Sequence, residues 1–203
     1  MDNIAIIVIS YLSGSIPFGL ILTKNFINKD VRKIGSGNIG ATNVLRTGNK
    51  YLALLTLILD CLKGFLPVLL ASKIMPEQMQ IAALMVFLGH IFPIWLRFKG
   101  GKGVATYLGV LFALSIPLSI LFIFTWVIVT LIFKYSSLSS IFSTLTVFVV
   151  TMFRENITFA INPTSAPDDN IKFILFIFFI LILFTHRKNI SNLKNKNEKK
   201  IKI

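Results

Sequence analysis

Thirty consecutive residues, Val104 to Phe133, carry no charge. As one helix this stretch would cover about 45 Å at 1.5 Å per residue, more than the roughly 30 Å hydrocarbon core of a bilayer. Ser115-Ile116-Pro117 lies inside it, and proline ends or kinks a helix, so the stretch is expected to split there into two spans, the first of them short. The rest of the chain has the same character. Hydrophobic residues make up 55% and charged residues 14%, with a mean hydropathy of +0.79, against roughly 25% charged in soluble domains. A water-soluble fold is excluded, and nineteen Phe are the reverse of a disordered composition. The single Cys61 lies in an apolar run and reads as a small packing residue.

Five further apolar segments complete the spans: Ile4–Leu22, Tyr51–Ala71, Met79–Leu96, Leu138–Phe153 and Ile171–Thr185. The first lacks a basic leader and a small-residue cleavage site, so it is expected to be retained. An all-α, multi-pass membrane protein of about seven transmembrane helices is the expected fold class. Its orientation follows from Lys and Arg, which accumulate in loops on the cytoplasmic side. Seven spans place seventeen of the 21 Lys and Arg on one side, leaving Lys73, Arg154 and Lys172 on the other and Lys63 inside a span. The N-terminus is then outside and the C-terminus cytoplasmic. Residues 1–187 read as one membrane-embedded domain and 188–203 as a basic cytoplasmic tail, solvated near an anionic leaflet. The net charge of +13 does not indicate nucleic acid, because the aromatic residues lie in the spans and are not interleaved with surface cations.

Three inward-facing segments could carry chemistry. The first holds Gly35-Ser36-Gly37-Asn38-Ile39-Gly40-Ala41-Thr42-Asn43, followed by Arg46. Glycines let backbone N–H groups turn onto an oxyanion, and phosphate is the natural guest. A flexible connector would show the same glycines; Arg46 and the Ser and Asn donors raise the functional reading. No Gly-Lys-Ser/Thr ends the segment, so it is not a Walker loop. The second, Phe98-Lys99-Gly100-Gly101-Lys102-Gly103, again sets glycines around cations, as a second concave anion site or a short positive-inside anchor. The third, Lys134-Tyr135-Ser136-Ser137-Leu138-Ser139-Ser140, offers hydroxyls that could donate to a ligand or merely cap a helix. Asp60 and Lys63, at i and i+3 within a span, favour a structural ion pair over catalysis. His90 reads as a hydrogen-bonded packing residue. His186, three residues before Asn189, emerges after the last span as a donor to a phosphate or developing oxyanion. No cluster has metal-ligand spacing, so no metal and no cofactor are expected.

Together these segments resemble the bacterial acyl-phosphate-dependent glycerol-3-phosphate acyltransferase family over nearly the whole chain. The carriers are Gly14-Ser15-Ile16-Pro17-Phe18-Gly19, Gly35 to Asn43 with Arg46, Asp60-Cys61-Leu62-Lys63-Gly64, and Gly89-His90-Ile91-Phe92-Pro93 leading to Lys99-Gly100-Gly101-Lys102-Gly103-Val104-Ala105-Thr106. Lys134, Ser137 and Ser140 are similar to the family's basic-aromatic-x-Ser-x-x-Ser element, with Lys134 where Arg is usual. His186, Asn189, Ile190, Leu193 and Glu198 match its tail motif, which departs at Asn192, where Arg is expected, and at Lys196, where Gly is expected.

The resemblance implies transfer of a fatty acyl group from acyl phosphate to the sn-1 hydroxyl of glycerol 3-phosphate, giving 1-acyl-glycerol 3-phosphate (lysophosphatidic acid) and phosphate, the first step of phospholipid synthesis. Gly35 to Asn43 would cradle the donor's phosphate, and Arg46, Lys102, His186 and Asn189 would hold glycerol 3-phosphate. Lys102, His186, Ser140 and Asn189 are the implied catalytic residues; Gly100, Gly101 and Ser137 join the binding set. Membrane lipids and the soluble enzyme that makes acyl phosphate are implied partners, and the bacterial cytoplasmic membrane the location. A transporter of an anionic phosphorylated metabolite is the alternative, although the internal repeats and midplane interruptions of transporters are missing.

Overall fold

The computed structural model describes residues 2–161 and 169–201, with side chains placed for 4–153 and 171–201. Lys202 and the side chain of Arg154, both counted in the Lys and Arg distribution, lie outside the described residues. The elements are helical: α1 Asp2–Ser15, α2 Phe18–Ile27, α3 Ala41–Leu45, α4 Lys50–Ile74, α5 Met79–Ile91, α6 Val104–Leu114, α7 Ile116–Phe133, α8 Ser136–Ile161, α9 Asp169–Thr185 and α10 Arg187–Lys194. Among the described residues, five segments are long and apolar enough to cross a bilayer, and the bent pair α9–α10 would make a sixth. The expected spans after the first each overlap one apolar helix. At 11 residues α6 is about 17 Å long.

The long uncharged stretch divides where expected. Ser115 is extended (φ −164°, ψ 111°) and Pro117 sits in the first turn of α7, where its missing N–H is no loss. The first span differs from expectation: it is two helices, broken at Ile16-Pro17 and running on to Ile27. Proline pushes the residue before it out of the helical region, while the hydropathy of the run is unaffected, so length and apolarity alone do not reveal the break.

The chain forms two compact units, Met1–Ile116 and Pro117–Ile203. In the first, α1 packs on α5 and α4 on α6 through glycines that admit a neighbouring backbone. A Cβ on Gly14 would strike the Val86 carbonyl, one on Gly64 the Thr106 carbonyl, and one on Gly109 the Cys61 carbonyl. Such close approach is how helices associate when lipid supplies no hydrophobic drive between them. Within α4, Pro67 cannot donate to the carbonyl of Lys63, four residues back. The Ser13 hydroxyl of α1 donates to that carbonyl at 3.4 Å.

In the second unit α8 packs on α9, with Phe148 stacked on Phe179 at 5.8 Å between centroids. After Thr185 the chain bends by 57° into α10. That helix ends in a Schellman turn: Asn197 N–H donates to the Asn192 carbonyl (2.8 Å) and Lys196 N–H to that of Leu193 (3.1 Å). Lys196, at the position that favours glycine, is held at φ +59°. The turn brings Ile201 N–H onto the Lys134 carbonyl at 2.8 Å, so the last turn of chain is fastened to the start of α8.

Two stability predictions follow from these contacts. Gly109→Leu should cost about 1–3 kcal/mol, as overpacking does, and lower the midpoint of thermal unfolding in detergent. Lys196→Gly should raise that midpoint, worth about 0.5–1 kcal/mol, because left-handed backbone penalises a Cβ more than ordering a glycine costs.

Candidate functional site

The segment between α2 and α4 is built on one buried side chain. Asn43, 2% exposed, donates through Nδ2 to the carbonyls of Val31 (2.9 Å), Ile34 (2.9 Å) and Asn38 (2.7 Å), and its Oδ1 accepts from Ser36 N–H (2.9 Å). Arg46 Nη1 reaches the same oxygen at 3.4 Å. Beneath the loop, Val31, Ile39 and Val44 bury against Leu20, Leu22 and Leu52. Gly35 at φ +58° has no room for a Cβ, which would meet Asn43 Oδ1 and the Arg46 side chain. Gly37 is also left-handed (φ +73°).

This geometry revises the expected ring of donors. The N–H of Ser36 is spent on Asn43, that of Gly37 on the Ile34 carbonyl at 2.9 Å, and that of Gly40 on Asn38 Oδ1 at 3.2 Å. No acceptor within the protein is seen, among the described residues, for the N–H groups of Gly35, Asn38 and Ile39. Ile39, whose side chain is buried beneath the loop, is one of the three through its backbone alone. Asn43, expected to touch substrate, has its amide committed to the loop's own carbonyls. Ala41 and Thr42 open α3. At the edge of the segment Asp30 caps the turn at Val31 and is clamped by Arg32, Nη2 to Oδ2 at 2.7 Å. Hydrogen bonding from Arg32 holds its carboxyl down at about 2, so that this small contribution is present above the ordinary carboxylate range and is lost only as pH falls toward 2.

The second segment runs from α5 to α6. Gly100 N–H donates to the Ile91 carbonyl (3.0 Å) and Gly101 N–H to that of His90 (3.1 Å). These two donors therefore cap the carbonyls at the end of α5 and do not form the second concave anion cradle that the glycines suggested. The glycines are needed because Cβ atoms there would strike the His90 carbonyl and the His90 ring. What the segment presents is Lys102, half-buried, just before Gly103 turns the chain into α6 at φ +84°.

In the second unit, His186 is 1% exposed and its Nδ1 lies 2.8 Å from the Ile182 carbonyl. A carbonyl only accepts, so Nδ1 carries the hydrogen of this contact. Glu198 Oε1 accepts from Ser137 Oγ at 3.0 Å and from Asn189 Nδ2 at 2.6 Å, while Asn192 Nδ2 approaches Oε2 at 3.4 Å. The carboxylate thus joins two expected site residues that are far apart in sequence. Ser140 Oγ donates to the Ser136 carbonyl (2.8 Å) and accepts from Trp126 Nε1 (3.3 Å), so its proton is committed to its own helix. No group of three His, Cys, Asp or Glu side chains gathers among the described residues.

Residues 4–196 match the family described as Glycerol-3-phosphate acyltransferase. The chain is 53% identical over 203 residues to the glycerol-3-phosphate acyltransferase of Pelagibacter ubique, covering 100% of both chains. To the protein of the same name from Wolbachia pipientis of Culex pipiens it is 48% identical over 204 residues, covering 98% of this chain and 99% of the relative. Among solved structures it is similar to crystal structures of PlsY, an integral membrane glycerol 3-phosphate acyltransferase. The glycerol 3-phosphate form superposes with a TM-score of 0.87 at 35% identity over 100% of this chain and 96% of that one. For the lysophosphatidic acid form the TM-score is 0.84 at 34% identity, over 98% and 95%. The chain is an all-helical integral membrane protein and belongs to the glycerol-3-phosphate acyltransferase family.

Proposed function

We propose that this enzyme transfers a fatty acyl group from acyl phosphate to the sn-1 hydroxyl of glycerol 3-phosphate, releasing 1-acyl-glycerol 3-phosphate and inorganic phosphate. The observation that carries the proposal is the Asn43-braced loop, which holds glycines, unspent N–H groups and Arg46 in one place, within a chain of this family. Family membership also favours an enzyme over a transporter. The loop receives the donor's phosphate through the N–H groups of Gly35, Asn38 and Ile39, while Arg46 and Lys102 hold the phosphate of glycerol 3-phosphate. Apolar helix faces take the acyl chain, at about 0.8 kcal/mol per buried methylene.

Acyl phosphate is a mixed anhydride with a stable leaving group, so positioning and charge stabilisation supply most of the catalysis. The glycerol 3-phosphate hydroxyl attacks the acyl carbonyl carbon, a new ester C–O bond forms, and the acyl–phosphate C–O bond breaks. The hydroxyl proton passes to a phosphate oxygen or to His186 Nε2, without an acyl-enzyme. Ser137 and Asn189 are aligned through Glu198, and Ser140 and Asn189 complete the polar set. Residues 1–187 act as the membrane domain of the bacterial cytoplasmic membrane, crossed seven times, with both glycine loops and the 188–203 tail on the cytoplasmic side. There the soluble enzyme that makes acyl phosphate delivers the donor.

Purified protein in detergent should release phosphate only when both acyl phosphate and glycerol 3-phosphate are present; release from acyl phosphate alone, at an equal rate, would refute the transfer. Arg46→Ala and Lys102→Ala should each raise KM for glycerol 3-phosphate about 10- to 100-fold, the worth of a charge-assisted hydrogen bond. An unchanged KM removes that residue from the site. His186→Gln separates the two proton routes, since a general base contributes about 10²-fold or more to kcat and a smaller loss assigns the proton to phosphate. Cysteines at positions 36 and 102 should react with an impermeant reagent from the cytoplasmic side only. Labelling from opposite sides would overturn the arrangement.

A further inference from the structure

Inside the apolar helices of the first unit lies a buried polar cluster for which the proposed reaction has no use. Asp60 and Lys63 of α4 pair at 2.8 Å. His90 of α5 shares a hydrogen bond of 3.1 Å through Nδ1 with Thr106 Oγ1 of α6, and the same nitrogen lies 3.9 Å from Asp60 Oδ1. All four side chains are buried. Charged and polar groups in a membrane span are costly, and apolar side chains of similar volume would fill the space without that penalty. The cluster therefore needs a reason beyond filling the helix interface.

Its outward contacts supply one. The His90 ring lies where a Cβ of Gly101 would sit, Nε2 being the nearest atom, and the His90 and Ile91 carbonyls receive the N–H groups of Gly101 and Gly100. Lys102 is the next residue. On the opposite side of the cluster, Lys63 Nζ donates to the Ile16 carbonyl at 2.6 Å, and α2, which starts just beyond, lays Gly19 against the Ile39 carbonyl of the first loop. The ring is held in rotation by Thr106 and backed by the Asp60–Lys63 pair.

We propose that His90, oriented by its hydrogen bond to Thr106, is a positioning residue that sets where the Gly100–Gly101 segment presents Lys102. A side chain misplaced by about 1 Å can cost as much as 10²-fold in rate or affinity. The inference rests on the assignment of Lys102 to the glycerol 3-phosphate phosphate, and it makes a structural claim that holds apart from that assignment.

Because His90→Ala risks loss of folding, the test uses Thr106→Val, which removes the hydroxyl at nearly constant volume, and Thr106→Ser, which keeps it. Steady-state kinetics with each substrate varied are combined with hydrogen exchange of the Gly100 and Gly101 amides in the purified protein. Thr106→Val should raise KM for glycerol 3-phosphate about 10-fold, leave KM for acyl phosphate within about 2-fold, and speed exchange of the two amides about 10-fold or more. Thr106→Ser should restore all three. The inference is overturned by a loss of kcat with both KM values unchanged, by a parallel rise of both, or by unmoved exchange at Gly100 and Gly101. Should the wild-type protein show no turnover that depends on glycerol 3-phosphate, the functional reading has failed, and the exchange rates decide this inference alone. Faster exchange in Thr106→Val with recovery in Thr106→Ser sustains it, and unmoved exchange overturns it.

Discussion

The ammonium of Lys63 ties α4 to the break in the first span. In hydrocarbon every backbone carbonyl needs a partner, and at Ile16-Pro17 the Ile16 carbonyl, which a continuous helix would pair with Leu20 N–H, accepts instead from Phe18 N–H at 3.1 Å and from a side chain. Lys63 Nζ takes the Ile16 carbonyl at 2.6 Å while Asp60 compensates its charge at 2.8 Å. The break in turn frees α2 to lie against the first glycine loop. A second irregularity, Pro67 in α4, is settled by the same economy, with Ser13 serving the carbonyl that the proline cannot. Polar side chains at these depths replace hydrogen bonds that proline removes, and this allows non-helical backbone to approach the site.

Both glycine loops spend most of their polar groups on themselves. Around Asn43, a neutral amide shares its two N–H hydrogens among three carbonyls and accepts from one N–H. It does so without the desolvation penalty that a buried charge would bring. The second loop closes on the end of α5 through Gly100 and Gly101. Few N–H groups are left over, but those that remain are fixed in direction before any ligand arrives. Such pre-organisation is the condition under which hydrogen-bond donors stabilise developing charge without reorganising.

Much of this was legible in the chain. The division at Ser115 followed from length and Pro117, because thirty uncharged residues cannot cross once. The break at Ile16-Pro17 was hidden by an uninterrupted apolar run, although the proline itself was in plain view. The glycine loops suggested anion sites by residue type, but residue type does not say whether the Asn43 amide faces a ligand or a carbonyl, or that the Gly100 and Gly101 N–H groups close on the end of α5. Only the fold decides that. Glu198 lies 61 residues from Ser137 in a Lys/Asn-rich segment, and nothing in its local sequence points to that partner. Lys196 is the converse case: its departure from glycine was visible, and the Schellman turn supplies the physical reason glycine is preferred there.

The glycines at the helix crossings have one more meaning. Where a Cβ would collide with a carbonyl oxygen, as at Gly14, Gly64, Gly89 and Gly109, the glycine's own α-hydrogen points at that oxygen. Each crossing is then a weak Cα–H···O bond worth about 0.5–1 kcal/mol, made from backbone alone. Interlocking of this kind involves no rotamers and little volume, so it changes little with the thickness or fluidity of the surrounding lipid. An enzyme whose substrate is itself a lipid precursor gains a frame that stays constant while the composition of its solvent varies.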